Sequence, residues 1–398
     1  MEDLIYISQR IPYPPNKGDK IRSWNALVRL AERYRIHLGS FIDDPVDWQH
    51  EPVIRDLCES NLLLPLDKTR CRVRSLPALL TGDPLTIPYF RDARLVRWVE
   101  GVRERVRPSR AYTFSSGVAG YVMGPAWSGT RRVHDMVDVD SDKWTQYAAG
   151  KSGVPRWIYD REGRKLLAFE RRVAAEYDTT LFVSEYETDL FRRLAPESAG
   201  KVHAMRNGVD GAFFDPARGY ADPYPAGVEP VVLTGTMDYW PNVDAALWFM
   251  EHVLPGLVAE RPTVHFYVVG ANPTRELVQA GSRPNVTVTG RVDDVRPYIA
   301  HARVVVAPLR IARGIQNKVL EGLAMARPVV ASPLALEGIQ AEPGRDLVVA
   351  DAPAEFVACV ARLMRDGGGA LGSRGRELVL REYGWDACFA KLFDYFES

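Results

Sequence analysis

Residues 304–332 read VVVAPLRIARGIQNKVLEGLAMARPVVAS, in which two apolar runs flank a segment with helical spacing. One face of this segment is apolar, with Val319, Leu320, Leu323 and Ala324 at the spacing of a buried helix face. The pattern predicts three elements: a buried strand over 303–309, a helix over 315–326 and a second buried strand over 328–332. Two buried strands joined by a helix indicate a βαβ unit of a parallel sheet.

The polar face of the same helix carries Lys318 and Glu321, three residues apart. They fall near the helix start, beside a loop that contains Arg310, Arg313 and Gly314. Such a segment can bind a diphosphate. It offers free backbone N–H groups, the positive end of a helix dipole, a glycine that allows close approach and three cations. A glutamate on this face can accept hydrogen bonds from ribose hydroxyls. The sequence therefore predicts a nucleotide-binding loop and helix.

This segment resembles the nucleotide-sugar-binding helix of the GT-B glycosyltransferases, in particular the large retaining family 4. Members of that family carry a glutamate, seven further residues, and a second glutamate followed by a small-residue helix and a Pro-Val-Val strand. Glu321 followed by GLAMARPVV matches the second half of the pattern, whereas Arg313 stands where the first glutamate is expected. In the family that carboxylate contacts the donor sugar, so the identity of the donor stays open.

Six further stretches in both halves of the chain are similar to one bacterial branch of family 4. That branch comprises the sugar transferases associated with exopolysaccharide clusters and the PEP-CTERM/exosortase system, and there Arg-Gly also replaces the first glutamate. The matching stretches are RIPYPPNKGDKIR at 10–22, FIDDPVDWQH at 41–50, VDVDSDKW at 137–144, LFVSE at 181–185, MDYWPNVDA at 237–245 and RIARGIQNKVLE at 310–321.

The length of 398 residues suits two domains, and a strand–helix alternation runs through the first half and restarts after residue 230. Together with the resemblance, this predicts an α/β fold of the GT-B type, in which two Rossmann-like doubly wound domains face a central cleft. The predicted organisation is an acceptor-side domain over 1–210, a linker over 211–229, a nucleotide-sugar-binding domain over 230–384 and a C-terminal helix over 385–398 that crosses back to the first domain.

Composition excludes several classes of function. The formal net charge is zero, so no overall positive charge favours nucleic acid. The four cysteines form no C-x-x-C pair, and no apolar run approaches the roughly 18 residues that a membrane span needs. We therefore expect a cytoplasmic protein, with association at the inner face of the plasma membrane left open.

The first half contains candidate residues at the ends of two predicted strands. A proline-rich loop follows the first strand and places Gly18 at the start of the next helix, where backbone amides can approach an anion. A later strand, RRVHDMV, ends in an acidic cluster that follows His134 and Asp135. The resemblance implies that these two residues contact the transferred sugar, with Asp138 as a further partner. The cluster lacks the spacing of a calcium loop, and the GT-B resemblance argues against a D-x-D metal site, so no metal or other cofactor is expected.

Residues 68–82, KTRCRVRSLPALLTG, combine four basic residues with three leucines. This pattern is typical of a solvated loop followed by core residues, and also of a segment that rests on an anionic membrane. The resemblance favours the membrane, because many bacterial members of the family act on lipid-linked acceptors and dock through the N-terminal domain.

In the second half, residues 234–249 correspond to a segment where family 4 has an arginine and a lysine that contact the donor diphosphate. Gly235 is present, but Met237 and Asn242 stand about where the cations are expected. Loss of these cations weakens stabilisation of the leaving diphosphate unless other cations replace them. The candidate replacements are Arg310, Arg313 and Lys318, and Arg291 after the strand near 286–290 completes the predicted donor site.

The resemblance implies a retaining glycosyltransferase that moves a sugar from a nucleotide-diphosphate donor to a growing, lipid-linked glycan or exopolysaccharide. Its partners are then a nucleotide sugar, a glycan or lipid-linked saccharide and a membrane surface. One alternative is a catalytically silent GT-B module that binds nucleotide sugar or glycan, which the residues at 237, 242 and 313 would explain. A second is a sugar-nucleotide epimerase, which needs a carboxylate and histidine arrangement that the sequence does not reveal.

Overall fold

The computed structural model describes residues 1–312 and 315–397, which form two compact units. The first unit comprises Met1–Arg206 and the chain from Phe389 onward, and the second comprises Asn207–Cys388. Each unit is built on its own parallel sheet with helices on both faces, so the predicted α/β fold with two Rossmann-like domains is confirmed.

The sheet of the first unit has seven parallel strands in the order β3-β2-β1-β4-β5-β6-β7. Its strands are β1 (Glu2–Ser8), β2 (Tyr34–Ile42), β3 (Ser60–Pro65), β4 (Arg110–Phe114), β5 (Arg131–Val137), β6 (Thr179–Phe182) and β7 (Val202–Ala204). The interior strand β1 has four successive apolar residues, Leu4 to Ile7, without exposed surface. Such continuous apolar runs are expected where helices cover both faces of a sheet.

The helices of the first unit follow the strands in turn. They are α1 (Gly18–Ala31), α2 (Glu51–Leu57), α3 (Lys68–Ser75), α4 (Ala78–Thr81), α5 (Thr86–Phe90), α6 (Ala93–Val106), α7 (Asp140–Ala149), α8 (Gly153–Glu176) and α9 (Glu185–Leu194). Residues 68–82 thus form two short helices rather than a loop. The Asp67 side chain starts α3 by accepting hydrogen bonds from the amides of Thr69 and Arg70, at 3.0 and 3.1 Å.

The second unit has six parallel strands in the order β10-β9-β8-β11-β12-β13. The strands are β8 (Glu229–Thr234), β9 (Val264–Val269), β10 (Val286–Gly290), β11 (Val304–Ala307), β12 (Val329–Ala331) and β13 (Val348–Val349). The helices are α10 (Trp240–His252), α11 (Leu254–Glu260), α12 (Arg275–Ala280), α13 (Arg296–Ala300), α14 (Asn317–Ala324), α15 (Pro333–Leu336), α16 (Pro353–Asp366), α17 (Gly369–Glu382) and α18 (Trp385–Cys388).

The C-terminal segment contains two four-residue helices, α18 and α19 (Asp394–Glu397), in place of the single helix predicted over 385–398. The part from Phe389 onward belongs to the first unit. There Phe393 and Phe396 are buried against Tyr34, and the Arg33 guanidinium lies 3.9 Å from the centre of the Phe393 ring. Aromatic packing therefore fixes this segment to the first sheet.

None of the helices in the described part of the chain is both long enough and apolar enough to span a lipid bilayer.

Candidate functional site

The first group of candidate residues lies where the strands of the second sheet end. Gly235 directly follows β8, and a Cβ atom at this position would lie 2.6 Å from the Asn242 amide nitrogen. A Cβ at Gly270, which follows β9, would lie 1.7 Å from the Gly235 carbonyl oxygen. The loops after two adjacent strands therefore pack backbone against backbone, which only glycine permits. This is the sheet edge at which open α/β folds bind ligands.

Neither Met237 nor Asn242 presents a polar group to solvent at this edge. Met237 has no exposed surface, and Asn242 is buried with its Nδ2 donating to the Thr236 carbonyl at 2.9 Å. Both side chains hold the loop after β8 against α10. Neither side chain is therefore available to a ligand at this edge.

Arg310 lies after β11, which pairs directly with β8. Its guanidinium makes two hydrogen bonds to Asp244 on α10, at 2.9 and 3.0 Å. These bonds raise the pKa of Arg310 further above its already high value. The bridge joins the loop after β11 to the helix that follows β8. It also neutralises part of the charge that was predicted to face a diphosphate.

Lys318 and Glu321 lie three residues apart on α14, where Lys318 is buried and Glu321 is half-buried. Burial lowers the pKa of Lys318 to about 8, although the negative charge of Glu321 acts to raise it. Burial likewise raises the pKa of Glu321 to about 7, and the lysine charge partly offsets this. Lys318 Nζ also lies 3.3 Å from the Gln316 side-chain oxygen. Both groups therefore titrate near neutral pH, and an incoming anion would favour the charged lysine.

The remaining predicted donor residues are distributed differently. Arg291 directly follows β10 and is exposed at the same edge of the second sheet. Arg313 and Gly314 lie outside the described residues. Gly18 is the first residue of α1 in the first unit, and a Cβ there would meet open space. The structure thus brings Gly235, Arg291, Arg310, Lys318 and Glu321 to one edge of the second sheet.

The first unit contains a cavity of about 600 Å³ at the corresponding edge of its own sheet. Asp138, Asp140 and Lys143 form its polar wall, and Lys143 Nζ lies 2.7 Å from Asp138 and 3.4 Å from Asp140. The two carboxylates raise the pKa of Lys143, whereas burial raises the pKa of Asp140. Tyr89 and Trp144 supply an aromatic wall. The cavity therefore combines charged groups with flat apolar surfaces.

His134 and Asp135 do not line this cavity, so the prediction that they contact a sugar is wrong for this structure. Both side chains have no exposed surface. Asp135 accepts hydrogen bonds from Arg22 at 2.8 and 3.0 Å and from the Tyr112 hydroxyl at 2.6 Å. His134 Nδ1 lies 2.7 Å from the Thr113 hydroxyl, and burial lowers the pKa of this histidine to about 3. Both residues are part of the core of a sheet covered on both faces.

A bulge at the end of β5 separates these buried residues from Asp138. Val137 has φ +72°, and the pairing of β5 with β6 shifts register between Asp135 and Val137. A positive φ is strained for a β-branched residue, and bulges re-aim the side chains that follow. The bulge thereby directs Asp138 to the cavity while His134 and Asp135 remain inside the sheet.

Sequence reasoning missed three contributors to these two sites. Thr86 and Tyr89 on α5 line the cavity, and Asp244 binds Arg310. Pro84 before α5 and Pro88 within it mark a turn but give no sign of a binding wall. Asp244 lies 66 residues before its partner, so no local spacing could have revealed the pair.

No three or more His, Cys, Asp or Glu side chains in the ranges 1–312 and 315–397 cluster in a way that could hold a metal ion. The expectation of a metal-free site stays a prediction.

The chain was compared with known families and structures. Residues 229–366 match the family described as "Glycosyl transferases group 1". No curated protein matches the chain in sequence. Several solved structures have the same fold over essentially the whole chain.

Anabaena HepE, solved in complex with UDP and glucose, has 13% identity and a TM-score of 0.66 over 100% of both chains. Sucrose-phosphate synthase from Thermosynechococcus elongatus has 17% identity and a TM-score of 0.67 over 99% of this chain and 98% of its own. A glycosyltransferase from Rickettsia africae has 11% identity and a TM-score of 0.65 over 100% and 98%. Residues 229–366 of the second unit are therefore similar to the Glycosyl transferases group 1 family, and the chain as a whole has the GT-B fold.

Proposed function

We propose that this protein transfers a sugar from a nucleotide-diphosphate donor to a glycan acceptor with retention of configuration. The observation that carries the proposal is the placement of buried Lys318 and half-buried Glu321 on α14, where their charges interact, at the carboxyl end of the second sheet and inside the segment that matches the group 1 family. HepE, which shares the fold, was solved with UDP and glucose, so uridine diphosphate sugars are the first donors to test.

In the proposed donor site, one carboxylate binds the ribose and several cations bind the diphosphate. Glu321 accepts hydrogen bonds from the ribose hydroxyls in its ionised form. Lys318 and Arg310, together with Arg291 and the loop of Arg313 and Gly314, bind the diphosphate. A bound dianion raises the pKa of Lys318 and so restores its full charge. These cations stabilise the negative charge that develops on the departing diphosphate. The site needs no metal if the cations are sufficient.

The cavity of the first unit is the proposed acceptor site. Carboxylates at Asp138 and Asp140 can accept hydrogen bonds from sugar hydroxyls, while Trp144 offers a face against which a sugar ring can pack. With a donor and an acceptor bound, attack from the same face as the leaving group retains the configuration, and the departing phosphate takes the acceptor proton. Neither His134 nor Asp135 is needed for this step.

A surface of the first unit supports a lipid-linked acceptor and contact with the inner face of the plasma membrane. Val73 on α3, Leu76 directly after it and Leu80 on α4 are exposed, Leu80 to 92%. Four exposed basic residues of α3 accompany them: Lys68, Arg70, Arg72 and Arg74. Arg161 on α8 donates a hydrogen bond to the Ala78 carbonyl at 2.5 Å, and Trp157, one turn earlier on α8, is 54% exposed. Exposed apolar side chains within a basic surface suit an anionic bilayer.

The same face links the membrane to the proposed acceptor cavity. Arg72 and Ser75 of α3 line the cavity together with Asp138 and Asp140. A lipid-linked saccharide anchored at this surface would therefore have its sugars close to the cavity. This arrangement agrees with a role in exopolysaccharide assembly of the PEP-CTERM type.

One observation favours the alternative of a catalytically silent module that binds nucleotide sugar or glycan. Arg310 is already paired with Asp244, and Met237 and Asn242 are buried. If Arg310 keeps its carboxylate partner in the donor complex, fewer cations stabilise the leaving group. Turnover distinguishes the two functions, whereas binding alone does not.

A thermal-shift screen tests the donor site with UDP, GDP, ADP, TDP and their sugar conjugates. A ligand at 100 times its dissociation constant stabilises the protein by about 2.7 kcal/mol. We expect a shift with one nucleotide family, and loss of that shift in Glu321→Ala and in Lys318→Ala while both variants keep the wild-type melting temperature within a few degrees. Undiminished binding in both variants would show that the site is elsewhere.

The nucleotide sugar chosen by the screen is then assayed for release of nucleoside diphosphate, with and without short glycan or lipid-linked acceptors. Release that depends on an acceptor supports the transferase. Tight binding without release on any acceptor supports the silent module.

A further inference from the structure

A second pocket lies at the opposite edge of the second sheet, where its strands begin. It has a volume of about 240 Å³. Its walls come from the segment before β8, the end of α13 and the residues that precede β11 and β12: Asp222, Tyr224, Val228, Pro230, Ala300, His301, Ala302, Arg303 and Arg327. The strands between the two edges are four to six residues long, so the pocket lies on the order of 13–20 Å from the proposed donor site.

The topology explains why two arginines meet in this pocket. Arg303 immediately precedes β11 and Arg327 lies two residues before β12. These strands are adjacent and parallel, with Val305 opposite Val329. Helix α14 ends in a turn where Ala326 has φ +53°, and this left-handed residue leads the chain back to the edge. The two guanidinium groups are therefore held at the same edge by the backbone itself.

The two arginines line the pocket together with one carboxylate, Asp222, but neither forms an ion pair within the described part of the chain. In residues 1–312 and 315–397, no carboxylate lies within 4.0 Å of the Arg303 or the Arg327 guanidinium. Arg327 Nε is also buried and has no hydrogen-bond partner among these residues. Burial and the charge of Arg303 both lower the pKa of Arg327. A buried donor without an acceptor, next to a second cation, lacks the anion that would satisfy both.

The other polar groups of the pocket already have partners. His301 Nε2 lies 2.7 Å from the Tyr220 carbonyl, and its Nδ1 lies 3.8 Å from Asp222. The Asp222 side chain is 58% exposed, so its charge is well solvated. The Tyr224 hydroxyl donates to the Tyr298 carbonyl at 2.6 Å. Among the described residues, the side-chain donors of the pocket that have no protein partner are those of the two arginines.

We propose that this pocket binds a phosphate group, either as free phosphate or as the monoester of a small molecule. Two guanidinium groups match the oxygens of a phosphate, each through paired N–H donors. The pocket is smaller than the roughly 300–1,000 Å³ of sites that enclose drug-sized ligands, so it does not suit a nucleotide sugar. It is a second anion site, separate from the proposed donor site and independent of the proposed function.

Isothermal titration calorimetry of the full-length protein tests this site with two probes, inorganic phosphate and glycerol 3-phosphate. We expect wild type to bind at least one of them, and Arg327→Ala and Arg303→Ala to weaken that binding by roughly tenfold or more, since each removes charged hydrogen bonds. Arg275→Ala is the matched control, because Arg275 is an exposed arginine of the same unit that does not line the pocket. Lys318→Ala controls for phosphate bound at the proposed donor site.

Binding that persists in Arg275→Ala and Lys318→Ala but is lost in the two pocket variants supports the site. Preference for glycerol 3-phosphate over phosphate would identify a monoester as the ligand, and the reverse would identify free phosphate. Three results would overturn the proposal: equal affinity in wild type and both pocket variants, loss of binding only in Lys318→Ala, or no binding of either probe by wild type. Arg303 is exposed, so its variant remains informative if Arg327→Ala fails to fold.

Discussion

At the scale of single residues, the Arg22–Asp135 ion pair is a buried interaction in the first unit. Both side chains are fully buried, and Arg22 also donates to the Met205 carbonyl at 2.6 Å. Removal of one partner leaves a buried charge without compensation. We predict that Arg22→Met lowers the free energy of unfolding by about 3–5 kcal/mol, measured from urea transitions.

The control for this prediction is Arg35→Met, which removes a solvent-exposed partner of Asp3. An exposed pair of this kind contributes at most about 1 kcal/mol. The double variant Arg22→Met/Asp135→Leu removes both charges and should recover part of the loss. If Arg22→Met and Arg35→Met had equal effects, the buried pair would not have the stabilising role assigned to it.

Glu170 is a second buried ionisable residue, and its burial makes the stability of the protein depend on pH. Its carboxyl group accepts hydrogen bonds from the Ser141 amide and hydroxyl, at 3.2 and 2.5 Å, and it has no exposed surface. Burial, aided by the negative charge of Asp140, raises the pKa of Glu170 from 4.5 to about 8. Between these values the folded protein holds a proton that the unfolded chain has released. Stability therefore falls as the pH rises through this window.

For a single group the expected slope is roughly 1.4 kcal/mol per pH unit between pH 4.5 and about 8. Glu170→Gln keeps an acceptor for Ser141 and removes the titration. We predict that melting temperatures of wild type decline relative to this variant between pH 6 and 8. Glu251→Gln, which changes an exposed carboxyl on α10, should follow wild type. Parallel curves for all three proteins would show that Glu170 does not hold its proton.

At the scale of secondary-structure elements, the sequence predicted most of what forms locally. The strand, helix and strand expected around residues 303–332 are present as β11, α14 and β12, with ends that differ by one to two residues. Apolar periodicity carries this information because each element must bury one face. The capping Asp67 before α3 was also visible in the sequence, and attention to it would have predicted a helix over 68–75.

The arrangement at the end of β5 could not be predicted in this way. His134, Asp135 and Asp138 are close in sequence, yet the bulge at Val137 places them in different environments. A register shift depends on pairing with β6, which begins more than 40 residues later. Valine gives no local signal for a positive φ. Long-range packing therefore decided which of the predicted acidic residues reaches the cavity.

The segment that contains helices α3 and α4 leads to a prediction about membrane binding. Exposed Val73 and Leu80 on these helices and Leu76 between them lie in a segment with four basic residues. We predict that the protein binds vesicles containing anionic lipid at low salt, and that Leu76→Ser/Leu80→Ser weakens this binding by tenfold or more, since buried apolar area contributes about 25 cal/mol per Å². Vesicle flotation measures the bound fraction.

The matched control is Val278→Ser, which changes an exposed apolar residue of the second unit. Neutral vesicles should bind much less than anionic ones, because the basic residues of α3 contribute electrostatic attraction. Equal binding by wild type and the double serine variant would place any membrane contact elsewhere on the protein.

At the scale of the whole molecule, the two units have separate sheets and separate cores. The repeated strand and helix pattern made this architecture predictable, since each pass through the pattern completes one doubly wound sheet. The assignment of ligands to units follows from different features, namely the Lys318–Glu321 pair in one unit and the cavity beside Asp138 in the other.

This assignment predicts where a nucleotide protects the chain. A ligand that binds only the folded site suppresses local opening, so a nucleotide at 100 times its dissociation constant should slow exchange of amides that open only in the free protein by about 100-fold. We expect hydrogen–deuterium exchange to show this protection in the loop after β8 and at the start of α14, and to lose it in Glu321→Ala. Protection confined to residues 136–144, beside the cavity of the first unit, would contradict the assignment of the donor to α14 and would move the nucleotide to the cavity now proposed for the acceptor.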